Sequence, residues 1–190
     1  MLIAFYKPFD VLSQFTRDVP THHTLAEFGF GPGVYPIGRL DRDSEGLLLL
    51  SDEARWTDLL LNPKRAHPRT YHAQVEGLVE DSALLALRRG GLDLKDFRTR
   101  PCLATRLDTE PEHPPRSPPI RYRKSIPTTW LELTLTEGKN RQVRRMTATV
   151  GSPTLRLIRV AMGGLTISDL GLTPGKWRPL TPAEVQRLLA

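Results

Sequence analysis

The sequence predicts an α+β fold: a mixed, mostly antiparallel sheet flanked by helices. Three observations predict it. Tyr71 to Gly77 and Trp130 to Thr136 alternate apolar and polar residues, as half-buried strands do. Strand candidates outnumber helix candidates, and neither a strand–helix–strand rhythm nor an internal repeat runs along the chain. The helical patterns are short and separately capped, the last opening on Thr181-Pro182-Ala183-Glu184, a capping box with proline at the first helical position.

The elements follow in order. Leu2 to Tyr6 is a strand ended by Lys7-Pro8-Phe9-Asp10, and with its lysine after the apolar residues it does not read as a signal peptide. Gly29, Gly31, Pro32 and Gly33 mark a loop before Val34 to Leu40. The run Leu47 to Leu50 is a buried strand. Ser51 and Asp52 are placed to cap a helix reaching Leu61, which Asn62-Pro63 stops. A helix over Ser82 to Arg89 turns Ala83, Leu84 and Leu87 inward and closes at Gly90-Gly91. Glu110 to Pro119 holds five prolines in ten residues and must be extended; Arg121, Arg123 and Lys124 follow it and are placed to meet an anion. Asn140 to Val150 is helical, with Val143, Met146, Thr147 and Val150 inward and Arg141, Arg144 and Arg145 on another face. Thr154 to Val160 and Gly164 to Ile167 are further strands.

Composition narrows the function. At 190 residues, with 39% hydrophobic and 25% charged residues, the chain is a globular protein with a real core. No apolar run is long enough to span a membrane. The lone Cys102 excludes an internal disulfide, fits a reducing, cytoplasmic setting, and reads as an inert packing thiol. The net charge of +6 favours a polyanionic partner, and nearly all of the excess lies between Glu137 and Val160, where six basic residues face one acid. The histidines make no metal-ligand spacing with Cys102 or a carboxylate, and the glycines form neither a phosphate loop nor a dinucleotide fingerprint. No serine elbow is present either.

What remains is an acid among arginines. In Gly38-Arg39-Leu40-Asp41-Arg42-Asp43-Ser44-Glu45-Gly46, Asp41 sits between two cations and directly before the leucine run. A charged cluster against a core segment costs desolvation unless its members pair. Asp41 is thus either a structural ion-pair acid or a held, ionised nucleophile.

Four motifs in order resemble one family, the RsuA-type pseudouridine synthases: Tyr6-Lys7-Pro8-Phe9-Asp10; Gly38-Arg39-Leu40-Asp41 with Ser44-Glu45-Gly46-Leu47; Arg69-Thr70-Tyr71; and Glu137-Gly138-Lys139-Asn140-Arg141-Gln142-Val143-Arg144-Arg145-Met146. Leu155 to Arg159 and Trp177 to Thr181 trail in the expected places, so the resemblance runs from about residue 2 to residue 185. Starting on the catalytic strand, without an N-terminal helical RNA-binding domain, and carrying Lys124 to Trp130 after the prolines, the chain is most similar to the RluE type, which acts on large-subunit RNA. Alanine at Ala73 departs from the larger aliphatic residue common there and leaves the tyrosine in place.

The resemblance implies a single catalytic domain over residues 1–190, divisible near residues 65 and 66, with a central RNA-binding cleft. It implies isomerisation of uridine to pseudouridine in 23S ribosomal RNA or the assembling large subunit, by a cytoplasmic monomer without membrane association, metal, nucleotide or organic cofactor. Asp41 would be the catalytic aspartate, attacking ribose or base or promoting elimination at the sugar. Arg144 would pair with it and keep it ionised. Tyr71 and Leu157 would sandwich the flipped base, with the phenol available for proton transfer. Lys7, Arg39, Arg42, Lys139, Arg141 and Arg145 are assigned to RNA backbone contacts or support of the motifs, and Asn140 and Arg159 to RNA binding. Two other functions use the same residues: a glycosidase pairing Asp41 with Asp43 or Glu45, although the arginines disfavour the protonated acid this needs, and a non-enzymatic RNA-binding assembly factor.

Overall fold

The computed structural model describes residues 1–120 and 125–190, so Arg121, Arg123 and Lys124 lie outside the described residues. In chain order the elements are β1 (Leu2–Lys7), β2 (Val11–Leu12), β3 (His23–Thr24), β4 (Tyr35–Pro36), β5 (Glu45–Ser51), α1 (Arg55–Leu61), β6 (Arg69–Glu76), α2 (Asp81–Arg89), β7 (Leu103–Arg106), β8 (Thr128–Leu135), α3 (Gln142–Thr149), β9 (Thr154–Met162), β10 (Leu165–Thr166), β11 (Trp177–Pro179) and α4 (Pro182–Leu189). They fall into two compact units, Met1–His67 with Ile158–Ala190, and Pro68–Leu157.

In the first unit β1 lies between β11 and β5, antiparallel to both, and β5 pairs parallel with β9 through Glu45 and Gly46 opposite Ile158 and Arg159. β4 adds antiparallel to β5, and β10 to β9. The mixed, mostly antiparallel character matches the expectation. The leucine run is continuous because β5 is covered on both faces. Leu47 and Leu49 join Leu2, Ala4, Tyr6, Trp56 and Leu188 in one core. On β1's opposite face, Phe5 packs against Phe28 and Phe30, at ring separations of 4.8 and 5.3 Å. α4 starts as its sequence predicts: the Thr181 N–H donates to Glu184 and the Glu184 N–H to the Thr181 hydroxyl, while Arg178 forks onto the same carboxylate.

The second unit is built on β6, β8 and β7, antiparallel throughout, with Tyr71 opposite Leu133 and Ala73 opposite Leu131. α2 and α3 supply Leu84, Leu87, Val143 and Met146 to a core that Val75, Leu133 and Leu157 complete. The proline segment forms no helix or strand over residues 110–119. It is anchored by side chains: His113 meets His72 at 2.9 Å, and Arg156 donates to the Pro114 carbonyl at 2.7 Å.

Two local expectations are corrected. Ser51 and Asp52 do not cap α1, which begins at Arg55 after an uncapped Ala54. The Ser51 hydroxyl instead donates to the Met1 carbonyl and accepts from the Glu53 N–H, and Asp52 pairs with the terminal amine. Arg141 does not share a helical face with Arg144 and Arg145, because it precedes α3 in a left-handed conformation at φ 49. The turn before the helix is closed by Gln142, whose amide donates to Glu137 and accepts from the Lys139 N–H.

Candidate active site

In the first unit the Asp41 loop joins β4 to β5, and its flanks are pinned by the segment after β1. The Ser13 hydroxyl donates to the Leu40 carbonyl at 2.8 Å and accepts from the Leu40 N–H at 3.1 Å. On the other side, the Asp10 N–H donates to the Arg42 carbonyl at 2.8 Å, and Arg42 Nε donates to the Asp10 carboxylate at 2.5 Å. Asp10 adopts φ 65, a left-handed conformation that aspartate tolerates better than most residues. The Ser44 N–H closes a turn onto the Asp41 carbonyl at 3.0 Å. Asp41 itself is half-buried, whereas Ser44 and Glu45 behind it are buried.

Lys7 is fully buried at the end of β1. Its ammonium donates to the Pro8 carbonyl at 2.8 Å and, more weakly, to the Arg42 carbonyl at 3.4 Å. Burial pushes its pKa down to about 7, against the pull of the Glu45, Asp43, Asp41 and Asp10 carboxylates. Arg159 is also buried, donating to the Leu47 carbonyl at 2.7 Å. Both side chains are thus buried in the fold and donate to backbone carbonyls rather than facing solvent. Arg39 is exposed.

The second unit carries the other candidates. Tyr71, on β6, is partly buried against the core that contains Leu157. Arg144, on α3, donates to the Thr154 carbonyl at 3.3 Å, which ties the helix to the start of β9, the strand bearing Leu157. Lys139, Asn140 and Arg141 are exposed on the turn before α3. Arg145 is not a free cation: Asp96 pairs with it, and it lies 5.0 Å from the Phe97 ring centroid. Burial pushes the Cys102 thiol up to about 11, as suits a packing residue. Among the described residues no group of three or more His, Cys, Asp or Glu is placed to hold a metal ion.

Sequence reading did not identify Ser13, or Asp10 as a partner of Arg42. Nothing in Phe9-Asp10-Val11-Leu12-Ser13 marks these residues beyond their place after the Lys-Pro motif; the contacts that single them out cross 27 and 32 positions.

The chain is 53% identical over 179 residues to the ribosomal large subunit pseudouridine synthase E of Xanthomonas campestris pv. campestris, covering 94% of each chain. It is 49% identical to the protein of the same name from Vibrio vulnificus, covering 95% of this chain and 75% of that one. A crystal structure of a pseudouridylate synthase superposes with a TM-score of 0.80 at 27% identity, over 98% of this chain and 73% of the other. The RNA pseudouridylate synthase family profile matches residues 1–149. Fold, relatives and profile agree, and the chain belongs to the RNA pseudouridylate synthase family.

Proposed function

We propose that the chain isomerises a uridine of large-subunit ribosomal RNA, with Asp41 as the catalytic carboxylate. The observation that carries this is the Asp41 loop, whose peptide groups on both sides of the acid are hydrogen-bonded to the segment after β1. The choice of RNA rests on the relatives, whose printed names refer to the large ribosomal subunit. In the isomerisation the bond from the ribose to the base nitrogen breaks and the base turns. A bond from the same ribose carbon to a ring carbon forms, and the ring carbon's proton is exchanged for one on the nitrogen. A carboxylate at the sugar or base lowers the barrier to the first step. Arg144 is proposed to act with it.

A uridine in folded RNA must leave its stack, and Tyr71 and Leu157 are the residues proposed to receive it. Arg39, Lys139, Asn140 and Arg141, all exposed, are the proposed phosphate contacts, and Arg42 and Arg145 are proposed as further ones. Lys7 and Arg159 support the motifs from within. The protein works as a cytoplasmic monomer without membrane association; no helix among the described residues is long and apolar enough to cross a membrane.

The test is to incubate the protein with unmodified ribosomal RNA fragments and map pseudouridine. The wild type should form it, and Asp41→Asn should bind the RNA but form none. Full activity in that variant would remove the aspartate from the mechanism. Release of free uracil would establish a glycosidase, and tight binding by an inactive wild type an assembly factor.

A further inference from the structure

The reaction needs the carboxylate held in one place, and hydrogen bonds of this chain hold the backbone on both sides of it. Ser13 is buried, 27 positions before Leu40, and one hydroxyl serves both backbone groups of that residue, donating to its carbonyl and accepting from its N–H. A side chain thereby replaces the strand neighbour that Leu40 lacks. Leu40 is itself buried, so without the hydroxyl its N–H and carbonyl lose the partner that the fold provides. Two residues on, the Arg42 carbonyl accepts from the Asp10 N–H and from Lys7. The backbone is thus held at residues 40 and 42, on either side of Asp41.

The two clasps are unequal. The Asp10 and Arg42 side chains are about 40% exposed, where an ion pair is screened and weak. The Ser13 pair is dry, and there an unmade hydrogen bond is costly. We infer that Ser13 is a positioning residue for catalysis, whose hydroxyl fixes, through Leu40, the backbone from which the Asp41 carboxylate projects. Ser13 acts through its neighbour and touches no reacting atom. The inference rests on Asp41 being the catalytic acid.

The experiment compares the single-turnover rate and the dissociation constant on one RNA fragment that the wild type modifies. Ser13→Ala should slow the reaction on the order of tenfold to a hundredfold, the scale of a misplaced catalytic group, and leave RNA affinity within about twofold. Ser13→Thr, which keeps the hydroxyl, should recover most of the rate. Asp10→Asn, which tolerates the left-handed backbone and removes the charge from the outer clasp, should slow the reaction less than Ser13→Ala at equal affinity. Where Ser13→Ala does not fold, the comparison of Ser13→Thr with Ser13→Val, a nearly isosteric pair differing in the hydroxyl, replaces it. A folded hydroxyl-free variant at the wild-type rate, with Asp41→Asn inactive, overturns the role of Ser13 and leaves the aspartate's intact. A rate loss matched by an equal loss of affinity also overturns it. An active Asp41→Asn overturns both.

Discussion

Replacing Gly46 with alanine tests how tightly the strand behind the Asp41 loop is seated. Gly46 lies in β5 opposite Lys7 on one side and Arg159 on the other. Its φ is 102, a conformation that alanine reaches only at a cost of about 1–3 kcal/mol. A β-carbon there would stand 2.3 Å from the Arg159 carbonyl oxygen and 2.8 Å from its nitrogen. These are backbone atoms and no rotamer change relieves them, so β5 and β9 must part, at a further cost of roughly 1–3 kcal/mol or more. The sum, about 2–6 kcal/mol, is a large share of the roughly 5–15 kcal/mol that holds a domain folded. Gly29→Ala isolates the conformational part: Gly29 has φ 68 but nothing within 4 Å of its added β-carbon, so only about 1–2 kcal/mol is lost. Urea denaturation followed by circular dichroism should place Gly46→Ala well below Gly29→Ala, with a melting temperature lower than the wild type's by about 10 °C. Equal destabilisation by the two variants would refute the close-approach argument.

Two further predictions concern pH. Burial holds Lys7 down at about 7 against 10.5 in the unfolded chain, so between those values the unfolded state carries a proton that the folded state has released. Stability therefore gains a rising component with pH across that window, and Lys7→Met should lack it in paired denaturation curves; identical pH slopes would show that the ammonium is not desolvated. His113 is pushed down to about 4, chiefly by burial and then by the His72 and Arg156 charges, while an undocked histidine titrates near 6.5. As pH falls from 6.5 towards 4 the free segment takes up a proton that the docked one resists, so docking should weaken, read as smaller hydrogen-exchange protection over residues 110–119 near pH 4 than at neutral pH. His113→Ala should show that looseness already at neutral pH, and an anchor unmoved by either change would refute the assignment.

Much of this protein follows from local pattern. The leucine run, the alternation from Trp130 and the Thr181 capping box each state their structure within about ten residues, because burial periodicity and cap chemistry act at that range. The order of motifs also points to the family, since each brings its chemistry with its residues. Strands of two to four residues, such as β2, β7 and β11, had no period to display and exist because a partner strand supplies their hydrogen bonds.

Tertiary structure decided the rest. α1 starts at Arg55 because the chain's first residue engages Ser51 and Asp52, about fifty positions away. Lys7, which reads as an RNA contact or a support of its motif, and Arg159, which reads as an RNA contact, are buried and donate to carbonyls inside the first unit. Asp41 is legible in the sequence as an acid among arginines, but the hold on its backbone comes from Ser13 and Asp10. A residue's type is written locally, whereas the donor that satisfies its backbone is chosen by whichever segment the fold brings alongside.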